Sequence, residues 1–283
     1  MGHRHLAAMG REDIVDEVVT VDPNPAVAAQ YLSIAAALID HDFDFGVVAS
    51  PTTFHEENTL TLLEAGVPIL IEKPLADSVA AANRIAQIAS KRGCKVAVGH
   101  IERFNPAVVA LLEDMSEKPL SVTLKRVSPY PSRITDVGVA LDLSIHDVDL
   151  ARYITGAQVV DTKTVLQSTR NNCEDLAMYL LELDSGASAL VQTNWVSPYR
   201  ERTAEVTTEA AVYKVDMLRQ QTTKYTNTAD ASYGVTSLFI KREDQLGAQL
   251  KAFIEYVLTG TSKNLCLLND GIEALTIVEE SLK

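Results

Sequence analysis

Residues 44–74 read DFGVVASPTTFHEENTLTLLEAGVPILIEKP, and this stretch decides the first half of the chain. Phe45 to Ala49 is an apolar run of the length of a buried strand, and Ser50-Pro51-Thr52 is a turn. His55 to Ala65 carries Leu60, Leu62 and Leu63 on a helical pattern closed by Gly66, and Ile69 to Ile71 is a second strand. Upstream, Val18 to Val21 reads as a strand ending in Asp22-Pro23-Asn24-Pro25, before an Ala-rich helical segment, Ala26 to Ile39. Downstream, Asp77 or Ser78 caps a helix running through Ile85, Ile88 and Ala89 to Gly93, and Lys95 to Val98 is a strand. Three strand-helix repeats predict a parallel sheet with helices on both faces.

After Asn105-Pro106, which opens a helix over Ala107 to Met115, longer strands take over. They are expected at Leu120 to Val127, Val159 to Gln167, Ala177 to Leu183, Ala187 to Trp195, Thr203 to Thr207 and Ala211 to Val215. Asp184-Ser185-Gly186 joins two of them as a hairpin. One helix, Asp142 to Ile154, interrupts the series, and helices at Asp244 to Leu258 and Asp270 to Leu282 close it. The expected fold is α/β: a truncated Rossmann-type parallel-sheet domain, 1–104, then an α+β domain with a largely antiparallel open sheet, 105–283.

A chain of 283 residues has room for two such domains. Hydrophobic residues make up 47% and charged residues 22%, and the longest apolar runs, such as Ile34 to Ile39, are far short of a membrane span. A net charge of -13 repels nucleic acid and acidic membrane surfaces, so neither is an expected partner. MGHRHLAAMGRED at the start has no secretory h-region, so a cytoplasmic location is expected. Cys94, Cys173 and Cys266 fit neither a zinc pattern nor a disulfide framework, and read as reduced, mostly buried thiols.

Two clusters carry chemistry. Glu72-Lys73-Pro74 follows a buried strand, where an open α/β sheet presents its ligand edge. Pro74 restricts Lys73 to an extended backbone, and a partly desolvated amine can exchange a proton; the alternative is a surface lysine at a strand end. The second cluster is Gly138-Val-Ala-Leu-Asp142-Leu-Ser-Ile-His146-Asp147-Val-Asp149. On a helix, Asp142, His146 and Asp149 share one face, so a carboxylate one turn from an imidazole can orient a general base. Asp142 would also cap the helix start. A solvated histidine beside an N-cap, or a metal set of Asp142, His146 and Asp149, are the competing readings, and no metal is expected because nothing nearby completes a shell.

In order and spacing, the strand-turn-helix of residues 44–66, the EKP tripeptide and Gly138…Asp142…His146-Asp147 resemble the Gfo/Idh/MocA oxidoreductases across nearly the whole chain. The resemblance implies Lys73, Asp142 and His146 as the catalytic group at the junction of nicotinamide and sugar, with either His146 or Lys73 as base. It implies a cofactor site at Gly2, Asp22, Ser50, Pro51, Thr52, His55, Glu72, Lys73 and Pro74, and assembly as a homodimer or homotetramer. VGHIERFNPAV (98–108) and NWVSPYRERTAEV (194–206) look most like the branch that oxidises UDP-N-acetylglucosamine at its 3-position. They offer Arg103, Asn105, Asn194, Trp195, Tyr199, Arg200 and Arg202 to a sugar or nucleotide-sugar substrate. A diphosphate suits guanidinium forks, and a sugar suits an aromatic wall and amides.

One departure stands out. Met1-Gly2-His3-Arg4-His5-Leu6 looks like the end of a G-x-G-x-x-G fingerprint, Gly2 being its last glycine, while the strand and the first two glycines are absent. Asp22 ends the next strand where an acidic residue accepts ribose hydroxyls, which favours NAD over NADP. The sheet is expected to keep three to four strands. A misplaced start, a repaired short domain and a degenerate relative are the competing explanations, the last making a catalytically silent binding or scaffolding protein the rival expectation. This chain is expected to bind NAD weakly or undetectably.

Overall fold

A computed structural model describes residues 1–131, 137–170, 173–228 and 232–283. It divides into two compact units: residues 1–101 with 244–273, and residues 102–243 with 274–283. The expectation was one boundary at 104/105; in this division the first crossing falls at 101/102, and residues 244–273 return to the first unit. Backbone pairing explains the return, because Cys266–Leu267 adds an antiparallel edge strand to Val96–Val98.

In the first unit, Gly46–Val48, Ile69–Ile71 and Val96–Val98 lie parallel in that order, in register through Val47, Leu70 and Ala97. Their apolar side chains, with Leu63, Leu75 and Ile85, are buried or nearly so. Helices Ile34–Asp40 and Val79–Arg92 start where Ser33 and Ser78 accept backbone N–H groups, and the second ends at Gly93, whose φ of 65° suits glycine. A second cluster joins Ala8 and Met9 of helix Gly2–Met9 to Leu246, Leu250 and Ile254 of helix Gln245–Thr259, with Val15, Val18, Phe45 and Val47 against it.

Val18 to Val21 is not a strand. Val21 makes a single parallel bridge to Tyr31, and among the described residues no strand pairs with the outer edge of Gly46–Val48. An extended run becomes a strand only when a ladder satisfies its backbone. The helix expected at Ala26 to Ile39 is split into a short turn of 3₁₀ helix, Pro25–Val27, and Ile34–Asp40.

The second unit holds an eight-stranded sheet in the order Tyr233–Ser237, Gln221–Asn227, Ala211–Asp216, Glu201–Thr207, Ser121–Val127, Ser188–Asn194, Leu176–Leu183, Val159–Gln167. Neighbours are antiparallel, apart from Ser121–Val127 beside Ser188–Asn194, which are parallel. Val122, Leu124, Tyr179, Leu181, Val191 and Val206 alternate into the buried face, as period-two patterning requires. Gln221–Asn227 and Tyr233–Ser237 were not expected. They are polar strands without apolar alternation, Tyr233–Ser237 at the edge of the sheet and Gln221–Asn227 next to it.

The cysteines are free: Cys266 is buried, whereas Cys94 and Cys173 are half-buried, more open than expected. Partial burial pushes the Cys94 thiol up, against the opposing charge of Arg92. Among the described residues no helix is long and apolar enough to cross a membrane.

Candidate active site

The turns Ser50-Pro51-Thr52 and Glu72-Lys73-Pro74 leave the carboxyl ends of two adjacent parallel strands, the edge at which such sheets bind ligands. His55 ties these turns together. Its buried ring places Nδ1 2.8 Å from the Pro74 carbonyl oxygen and Nε2 3.0 Å from that of Ser50. Glu72 is buried too, with Oε1 2.7 Å from Nε2 of His5 on helix Gly2–Met9. Gly99 packs beneath it: an added Cβ would lie 3.1 Å from the Glu72 Cα. Glu72 and His55 thus hold backbone in place, the Lys73–Pro74 peptide is cis, and Lys73 is left half-buried between two fixed residues.

Gly2 does not have the role its place in a fingerprint suggests. It is exposed, and an added Cβ would meet nothing within 4 Å. Asp22 is half-buried, its Oδ1 accepting the Asn24 N–H at 2.8 Å. The residues present nonetheless fit NAD: no side chain caps helix Gly2–Met9, leaving its first N–H groups available, and the two strand-end turns form the edge a dinucleotide crosses. Asp22, Ser50, Thr52 and Lys73 would hold it.

In the second unit, Gly138 opens the other motif because the Glu174 carboxylate lies against its Cα and would collide with any Cβ. The Glu174 carbonyl accepts the Val139 N–H at 2.9 Å and its Oε1 the Ala140 N–H at 3.1 Å. Ala140–Ser144 then forms a turn of π-helix leading into the α-helix Ile145–Thr155. Such widened turns recur at functional sites. Asp142 sits within this turn and is not its cap residue, since Val139 takes that position, contrary to expectation. Asp142 and His146 are both half-buried.

The residues flanking His146 anchor the helix. Asp147 accepts from Nε and Nη2 of Arg126 at 2.7–3.0 Å, while Nη1 of Arg126 donates to Glu102 Oε1 at 3.0 Å. Burial opposes every charge here. Asp147 and Glu102 outweigh it for Arg126 and keep the guanidinium charged, and Arg126 and Arg202 outweigh it for Glu102, whose carboxyl is held below its ordinary range. For Asp147, burial wins over Arg126 and pushes the carboxyl up. Asp149 binds Nε and Nη2 of Arg103 at 2.9 and 2.6 Å, which commits the third member of the Asp142, His146, Asp149 face to an ion pair.

Two expected substrate contacts therefore have another task. Arg103 is buried against Asp149 with its guanidinium 4.7 Å from the Tyr153 ring centre. Asn105, also buried, caps helix Pro106–Asp114 and donates to Glu102 and to the Met217 carbonyl. Asn194 is likewise buried, its Oδ1 accepting from Val196 and Ser197, and Trp195, 2% exposed, packs edge-on to Tyr130. Tyr199, 53% exposed, and Arg200 remain open, as does Arg202 in part. His5, Glu102, Arg126 and Glu174 were not singled out by sequence, and Asp147 entered only as part of the Gly138…Asp142…His146-Asp147 motif, without a role. Of the first four, Arg126 left a trace, a charge at an inward position of the Val122, Leu124, Arg126 alternation.

Residues 12–100 match the oxidoreductase family with an NAD-binding Rossmann fold, and residues 120–227 match the Gfo/Idh/MocA C-terminal domain. The chain belongs to this family, and is an NAD-binding oxidoreductase whose relatives are dehydrogenases acting on CH–OH groups. Among them, the UDP-N-acetylglucosamine 3-dehydrogenase of Acidithiobacillus ferrooxidans is 27% identical over 74% of this chain and 69% of its own. Its crystal structure superposes with a TM-score of 0.90 at 24% identity, covering 99% of this chain and 92% of the other. The scyllo-inositol 2-dehydrogenase (NAD(+)) of Bacillus subtilis is 28% identical over 79% of this chain and 70% of its own. GenD2 from gentamicin A biosynthesis, solved in complex with NAD, has a TM-score of 0.81 at 24% identity, covering 100% of this chain and 90% of that one.

Proposed function

We propose that the protein oxidises a secondary hydroxyl of a nucleotide sugar, at C3 of UDP-N-acetylglucosamine, using NAD, with Lys73, Asp142 and His146 as the catalytic group. The observation that carries this reading is the anchoring of the His146 helix, where Asp147 and Asp149 are locked by buried arginines while His146 itself stays half-buried. A base on a helix held by its neighbours keeps one direction. NAD supplies the hydride acceptor. His146 is the base for the hydroxyl proton, Lys73 polarises the hydroxyl or relays its proton, and Asp142, one turn before His146, orients the imidazole or the sugar. NAD is preferred to NADP because a 2′-phosphate would meet the like charge of Asp22.

The purified protein with NAD and UDP-N-acetylglucosamine is expected to raise absorbance at 340 nm. Lys73→Ala or His146→Ala should lower turnover about 100-fold or more. Near-normal turnover in both variants would remove the catalytic assignment. No signal with either UDP-N-acetylglucosamine or scyllo-inositol would leave the silent binding homologue as the reading.

The open face of the eight-stranded sheet supports assembly as a homodimer or homotetramer. Leu180 and Leu190 stand opposite one another in the ladder yet are 41% and 42% exposed, and Val165 beside them is 55% exposed. Light scattering should give a multiple of the 30.8 kDa chain mass for the wild type and a lower multiple for Leu180→Lys/Leu190→Lys. A wild type of single-chain mass overturns it.

A further inference from the structure

Arg126 and Arg202 face each other directly across neighbouring antiparallel strands. Like charges at such a position repel unless an anion stands between them. Glu102 is that anion, and one of its oxygens, Oε1, serves both cations: Arg126 at 3.0 Å and Arg202 at 2.9 Å. The other oxygen accepts from Asn105. The two guanidinium groups then part company. Arg126, fully enclosed, is completed by a bidentate bond to Asp147. Arg202 has one ion-pair partner among the described residues, Glu102, with Asp147 adding a longer-range pull, and its side chain is 42% exposed.

We infer that the outward half of Arg202 is the receptor for an anionic group of the substrate, a phosphate of a nucleoside diphosphate. This rests on the nucleotide-sugar reading above and names the residue that separates such a substrate from a neutral cyclitol. Arg103 cannot take the part, because both oxygens of Asp149 already fill its fork. On Arg202, the Nε and Nη2 edge is the geometry that binds phosphate bidentately. Burial, and then the nearby charge of Arg126, lower the pKa of Arg202 against the pull of Glu102 and Asp147, so a further anion would offset the like charge of Arg126. Because Arg202, Glu102, Arg126 and Asp147 form one continuous chain of ion pairs, the bound phosphate joins the network that anchors the helix of His146.

The test is calorimetric titration of the full chain with UDP, with UDP-N-acetylglucosamine and with scyllo-inositol. Arg202→Met should weaken UDP binding about 10- to 100-fold, the loss of a charge-assisted hydrogen-bonded pair. Arg202→Lys, which keeps a charge beside Glu102 but not the fork, should weaken it several-fold and carries the test where Arg202→Met does not fold. Arg219→Met, which removes an exposed arginine paired with Asp216, should bind UDP as the wild type does. Unchanged UDP affinity in the Arg202 variants, an equal loss in Arg219→Met, or a wild type that ignores millimolar UDP would each overturn the inference. The outcomes also separate the two readings. UDP binding that depends on Arg202 without any signal at 340 nm upholds the receptor and sinks the oxidation, whereas oxidation of UDP-N-acetylglucosamine unaffected by Arg202 does the reverse.

Discussion

Since Asp147 shifts the opposite way, Glu102 is the member of the buried network whose shift predicts acid sensitivity. Burial pushes its carboxyl up, but the two guanidinium groups outweigh burial and hold it below the usual glutamate value. The sign of the effect follows. The unfolded chain, with glutamate near about 4.3, binds a proton before the folded one does, so the contribution of ionised Glu102 is complete above that value and is lost as pH falls toward the lower folded value. Asp114, partly exposed, shifts the same way through its hydrogen bond from Lys224, with a smaller effect on stability because water screens it. Thermal melts should be flat from neutral pH to about 5.5 and fall steeply below about 4.5. Glu102→Gln should melt roughly 6–20 °C lower at pH 7, as expected when one member of a buried ion network is removed at about 3–5 kcal/mol, and should show a shallower acid limb. An acid limb parallel to that of the wild type would take Glu102 out of the explanation. At this scale the sequence showed the side chains proposed as catalytic but not their supports. Lys73 and His146 stand in compact motifs, whereas Arg126 meets Glu102 and Asp147 only through the pairing of distant elements.

Elements were legible where the local pattern is also the tertiary pattern. Ser121–Val127, Leu176–Leu183 and Ser188–Asn194 each alternate between a buried and an open face, so their period of two names them, and their bounds fall within a residue or so of expectation. Gln221–Asn227 has Thr, Lys and Tyr where a half-buried strand has aliphatics, and its strand character comes from a neighbour. Val18 to Val21 fails the opposite way, with strand composition but no ladder to join. The widened turn at Ala140–Ser144 was beyond periodicity altogether. A 3.6-residue pattern reads as one helix from Asp142, yet the close approach of Glu174 to Gly138 fixes the chain just ahead of it and the turn bonds in the longer π pattern. The motif glycine is thus explained by a residue 36 positions later, Glu174, in a part of the chain that carries no motif.

For the whole molecule, the order of elements along the chain misstates which residues fold together. The strand-helix repeats end near residue 104, which suggests a cut there, but residues 1–101 lack part of their own unit. Without residues 244–273, Val96–Val98 loses the backbone partners Cys266 and Leu267, turning a covered strand into an open edge. The cluster of Ala8 and Met9 loses Leu246, Leu250 and Ile254, which supply its other side, and Phe45 loses the edge-on ring of Phe253. Gly271 packs so closely on Val98 that an added Cβ would stand 2.8 Å from its Cγ2, so the returning segment is fitted to this sheet. Since the outer edge of Gly46–Val48 has no strand partner among the described residues, the shortened piece would hold a three-stranded sheet open on both sides. Three short strands with both edges bare bury too little apolar surface to offset the entropy of ordering a hundred residues. A fragment of residues 1–101 should therefore give no cooperative thermal transition by circular dichroism and should bind a hydrophobic dye, whereas the same residues joined to 244–273 by a flexible Gly/Ser linker should melt cooperatively and bind none. A cooperative melt of residues 1–101 alone would mean that the returning segment is an accessory and that the two-part assignment of the first unit is wrong.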